Sequence, residues 1–226
     1  MKYRFHLLLG DWAKYKSLEF AMEKETKSTM KKAICIGVLS SLTTGIAAAM
    51  GGTLTLYADF CRRFLEMLAT VVSFCVYRWM GKHTEIPIEQ QGKIKKRTCA
   101  ITGIAMVLSS ILLALVSVLG FSTETYEGNV IPGFIIAVLG VLLNFYFFIS
   151  YKKSLKRQFD AIIHSQYVMY RAKTGVDTCV VFTLGCILFV PKWSLLPWID
   201  LGCTLIVAGC LFVEGTKNIV RKEEKI

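Results

Sequence analysis

The stretch Leu54–Met80, LTLYADFCRRFLEMLATVVSFCVYRWM, decides the fold. A helix that crosses a bilayer needs about 20 predominantly apolar residues, and this stretch is long enough. Yet it carries Asp59, Arg62, Arg63 and Glu66. At the centre of a crossing each charge costs roughly 2.5–3.5 kcal/mol. Such charges persist where they turn inward and pair, and they mark an ion path or a structural ion-pair network. The spacing i, i+3, i+4 and i+7 lets Asp59 pair with Arg62 or Arg63, and Arg62 with Glu66, on one helix. Two readings therefore stand: a neutralised polar stripe facing a bundle interior, or a stripe lining a hydrated ion pathway.

Around this stretch the chain repeats the same apolar pattern. It has 226 residues, 54% of them hydrophobic, and a mean hydropathy of +0.51. Six apolar segments fall at about 33–51, 54–78, 99–120, 130–150, 174–191 and 195–214, the fifth beginning as early as Tyr167. This is the pattern of an all-α, polytopic membrane protein, a six-transmembrane-helix bundle. The net charge of +11 does not point to nucleic acid, because the basic residues sit between the spans. The N-terminal segment, the 81–98 and 151–173 loops and the Arg221-Lys222 tail hold most of the Lys and Arg. The 121–129 loop has Glu124 and Glu127 and no basic residue, and Lys192 is the lone charge between the last two spans. Cytoplasmic loops carry the excess of Lys and Arg, so N and C termini are expected in the cytoplasm and the chain in the cytoplasmic membrane.

Residues 1–31 read as a cytoplasmic or interfacial segment using Phe5, Leu7, Leu8, Trp12, Leu18 and Phe20. Residues 32–216 form the transmembrane domain. Residues 217–226 are expected to form a short cytoplasmic tail with no soluble domain after it. The eight cysteines make no CxxC pair and read as small apolar packing residues. No phosphate loop, HExxH or Ser/His/Asp arrangement occurs, so no enzyme and no cofactor are expected. The bilayer is the expected partner.

The run Gly52 to Ala69 resembles the second helix of the cation diffusion facilitator family, which reads G-S-x-A-L-x-A-D-A-x-H-x-x-x-D-x-x-A. Ala58-Asp59 matches the A-D, and Glu66 falls on the final Asp. Pro197-Trp198-Ile199-Asp200 through Glu214-Gly215-Thr216-Lys217 resembles the family's last helix. The resemblance covers residues 30–222. It implies six spans, a homodimer, and proton-coupled antiport of Zn²⁺ or related divalent ions as transported substrate. It also implies a metal held mid-membrane by spaced His or Asp pairs on helices two and five. Here those positions fall on Arg62, Glu66, Lys173 and Asp177. Two of these are cations, and Arg does not give up its proton. His6, His83 and His164 all lie in flanking segments, so a His-ligated zinc site in the membrane is excluded. Any metal would rest on Glu66 and Asp177.

The expected cation or proton pathway is thus Asp59, Arg62, Glu66, Lys173 and Asp177, with Asp200 and Arg63 secondary. Plainer roles compete. Asp177 or Thr174 caps helix five, or Asp177 pairs with Lys173 or Arg171. Asp200 favours a helix N-terminus. Asn144 bonds between helices, and Trp79, Trp193 and Trp198 belong to interfacial belts.

Overall fold

The computed structural model describes residues 2–51, 54–83, 85–120, 131–157, 159–189 and 196–220. Several side chains within these helices, those of residues 2–20, 54–59 and 200 among them, lie outside the described ones. So do Glu124, Glu127, Lys192, Trp193 and the Arg221-Lys222 tail. Among the described residues the regular structure is all helical: α1 (Lys2–Gly51), α2 (Leu54–Met80), α3 (Ile88–Gly120), α4 (Ile131–Arg157), α5 (Ala161–Phe189) and α6 (Leu196–Val220).

Two expected segment boundaries fall inside helices. The first is at residue 31, where α1 passes without a break from the charged segment into the apolar one. No Gly or Pro lies between Asp11 and Ile36 to stop it. The Glu23–Lys27 pair, one turn apart, supports the helix. The second is the start of the fifth span, since α5 begins at Ala161, thirteen residues before 174 and six before Tyr167. Asp160 caps it: its Oδ1 accepts from the backbone N–H of Ile162 at 2.8 Å and of Ile163 at 3.4 Å. Thr174 and Asp177 are therefore interior to the helix and cap nothing. The Thr174 hydroxyl donates instead to the Tyr170 carbonyl, at 2.9 Å.

A tight turn joins α2 to α3. Gly81 N–H donates to Tyr77 O at 3.2 Å. Pro87 stands just ahead of α3, where its missing N–H costs nothing. Neighbours in sequence pack in space, α1 on α2, α2 on α3 and α4 on α5, while α3 also lies along α6. Gly103 and Gly215 let α3 and α6 touch backbone to backbone. A Cβ on Gly103 would stand 2.6 Å from the Gly215 carbonyl, and one on Gly215 2.9 Å from that of Gly103. Small residues at a crossing are how membrane helices approach closely.

Beside an apolar core around Met30, Met106, Ile162, Met169 and Leu211, the bundle buries many polar side chains and exposes many large apolar ones. Arg62, Glu66, Thr70, Ser73, Thr102, Ser109, Gln166 and Asp177 are buried. Leu39, Leu42, Ile104, Leu115, Leu139, Leu142, Phe182 and Ile206 are exposed. An apolar surface this extensive needs an apolar surrounding. Among the described residues, Ile88–Leu119 and Leu201–Val220 are long and apolar enough to cross a membrane on length and composition alone. The helices α2 and α5 carry charges in their middles instead.

Candidate functional site

On α2 the residues Arg62, Glu66, Thr70 and Ser73 follow one another at steps of four, four and three, so they share a face. On α5 Gln166, Tyr170, Lys173 and Asp177, at steps of four, three and four, also share a face. The fold turns these two stripes toward each other. Glu66, only 3% exposed, meets two cations. Its Oε1 lies 3.6 Å from Arg62 Nη1, one turn away. Its Oε2 lies 3.2 Å from Lys173 Nζ, across the helix interface. The Lys173 ammonium also sits 4.8 Å from the centre of the Tyr170 ring.

Asp177 is held from α4. The amide of Asn144 donates to its Oδ2 at 2.5 Å. Gly140, one turn before Asn144, makes room, since a Cβ there would stand 3.2 Å from the same oxygen. Arg63 reaches α1, donating from Nη1 to Ser40 Oγ at 2.9 Å. Ser40, Arg62, Arg63, Glu66, Asn144, Lys173 and Asp177 line one cavity of about 90 Å³ among α1, α2, α4 and α5.

Arg62, Arg63, Glu66, Lys173 and Asp177 are thus brought to one place. The side chains of Asp59 and Asp200 lie outside the described residues. One pairing expectation needs correcting. Lys173 chooses Glu66 rather than Asp177, and Arg171 leaves the cavity altogether to pair with Glu214 of α6 at 3.1 Å. Helix rotation decides this: residues 171 and 173 project about 200° apart. Asn144 acts between helices as its place in an apolar segment suggests.

Sequence reasoning misses Ser40, Gly140 and a buried polar ladder below the cluster. In that ladder Gln166 Nε2 donates to Ser73 Oγ at 2.9 Å, and Ser73 and Thr102 share a hydrogen bond of 3.3 Å. The signal exists in the α5 spacing, since Gln166 lies seven residues before Lys173 on the same face. Among the described residues no group of three His, Cys, Asp or Glu side chains is placed to hold a metal ion. The described cysteines form no disulfide, and Cys35, Cys61, Cys75 and Cys210 lie on the apolar exterior rather than in the packing.

No curated protein matches the chain. The family model for the cation efflux transmembrane domain matches residues 30–222. That span takes in both charged stripes and all six helices, from within α1 to the end of α6. The chain belongs to the cation efflux family, a family of membrane cation transporters, through its transmembrane domain.

Proposed function

We propose that this chain crosses the cytoplasmic membrane six times, with both termini inside, and carries a cation across it. Glu66 and Asp177 are the carboxylates that the cation meets. The observation that carries the reading is the convergence of charges from α2 and α5 on one cavity, within a bundle whose exterior is apolar. Ion pairs serving packing alone need no cavity. The donors argue against zinc as ordinary cargo. Arg62 and Lys173 stand against Glu66, and both repel a divalent ion in a site of low dielectric. A homodimer follows from the family resemblance.

The test is flux in proteoliposomes, with Zn²⁺, Mn²⁺, Fe²⁺, Na⁺ and K⁺ offered in turn and internal pH recorded. Movement of at least one cation, slowed in Glu66→Ala, supports the proposal. Equal rates for the two proteins remove Glu66 from the mechanism.

The double pairing of Glu66 favours a second reading, a non-transporting relative whose ion pairs fill the metal's seat. It predicts a melting temperature indifferent to every added cation, whereas binding to the folded state raises it.

A further inference from the structure

The cavity has a floor, and the floor is built differently from the cavity. On α1 the inward face runs through Thr26, Met30, Ala33, Gly37 and Ser40, at alternating steps of four and three. On α4 it runs through Gly140, Asn144, Phe147, Tyr151 and Ser154. The upper members of both series line the cavity. The lower members close it. Ser154 lies about 15 Å along α4 from Asn144, at 1.5 Å per residue.

Two layers do the closing. The first is aromatic. Phe147 packs on Tyr170 with ring centres 5.2 Å apart, and Tyr151 stacks on Tyr170 at 5.4 Å. Tyr151 and Met30 are fully buried there. The second layer is polar and lies at the helix ends. Glu25 pairs with Arg157 and, at 3.5 Å, with Lys153. Beside it Thr26 donates to Ser154 Oγ at 3.3 Å. These contacts tie α1 to α4, a pair that packs far less extensively than α4 on α5 or α1 on α2.

We infer that these two layers are a gate: Phe147, Tyr151 and Tyr170 plug the cavity on the side of the basic loops, and Glu25 with Lys153 and Arg157 latches α1 to α4 beneath the plug. The inference rests on the transport reading above and adds the moving part to it. Two features suit this floor to opening. The Tyr151 hydroxyl is buried with no hydrogen-bond partner among the described residues. A buried hydroxyl without a partner costs free energy in the closed arrangement, and an opening that admits water relieves that cost. The latch pairs are half-exposed, so they are weak and reversible, as an opening element requires.

The experiment uses the full chain with its native cysteines replaced. A single reporter cysteine on the cavity wall, Ser40→Cys or Ala33→Cys, meets a membrane-impermeant cationic thiosulfonate added from the basic-loop side. With the latch intact the reporter reacts slowly. In Glu25→Lys its rate rises by about tenfold or more, as for an open state promoted from a few per cent to a major population. The swap Glu25→Arg with Arg157→Glu restores slow reaction. A Thr26→Cys/Ser154→Cys disulfide keeps the reporter slow even beside Glu25→Lys, until it is reduced. Equal reporter rates with the latch intact, broken and cross-linked overturn the gate. Gated labelling without movement of any cation overturns the transport reading and leaves the gate standing.

Discussion

At Glu66 one carboxylate answers cations from two helices, and this makes it the residue on which the interior turns. Removing it takes from Lys173 its ion-pair partner in a buried site and from Arg62 one of its contacts. Breaking a buried pair by deleting one partner costs about 3–5 kcal/mol, mostly from the charge left behind. We expect Glu66→Ala to lower stability by that order in denaturant unfolding in detergent. Adding Lys173→Met should recover part of the loss, because it removes one stranded charge. Unfolding of Glu66→Ala at the wild-type midpoint would sink this account. The Arg62–Glu66 pair is legible in the sequence because i and i+4 always share a helix face. The partnership of Lys173 with Glu66 is not, because it depends on how α5 is rotated against α2.

At the scale of the element, α5 carries the lesson. Its first ten residues include His164, Ser165 and Gln166, which interrupt the apolar pattern and make the segment read as loop. Tertiary contacts supply what local pattern lacks. Ala161, Ile162, Ser165, Gln166 and Met169 are all buried. Asp160 begins the helix and also binds Lys95 of α3 at 2.8 Å. Substituting an N-cap acid by Ala costs about 0.5–2 kcal/mol. We expect Asp160→Ala to lose about that much in unfolding free energy. Asp160→Asn should lose less, since Asn caps equally well and only the pairing with Lys95 weakens. Equal losses for the two variants would transfer the effect from the cap to the ion pair.

For the whole molecule, the tie between α1 and α4 is a part that responds to pH. The Arg157 guanidinium beside Glu25, helped by Lys153, holds the Glu25 carboxyl below its ordinary range. A depressed carboxyl contributes to stability above its unfolded value, and the contribution disappears as pH falls through the lowered folded value. Because the pair is half-exposed, the effect is local and weakens with added salt. We expect amide protection factors of residues 21–30 to drop on acidification into that window, while those of buried α5 hold. Unchanged protection across α1 would remove Glu25 from the tie.

The sequence by itself determined that this chain holds six apolar helical segments, that two of them carry charges in their interiors, and which residues could share a face. These are local properties, set by periodicity, by the spacing of charges and by the few glycines and prolines that interrupt them. Only the tertiary structure decided that the stripes of α2 and α5 meet at one cavity. The same holds for Asn144 and Gly140 receiving Asp177, and for α1 closing on α4 below. Residues 66 and 173 are far apart along the chain, and their meeting rests on the rotation and height of whole helices. That arrangement is settled by the joint packing of all the faces, which no single stretch of sequence contains.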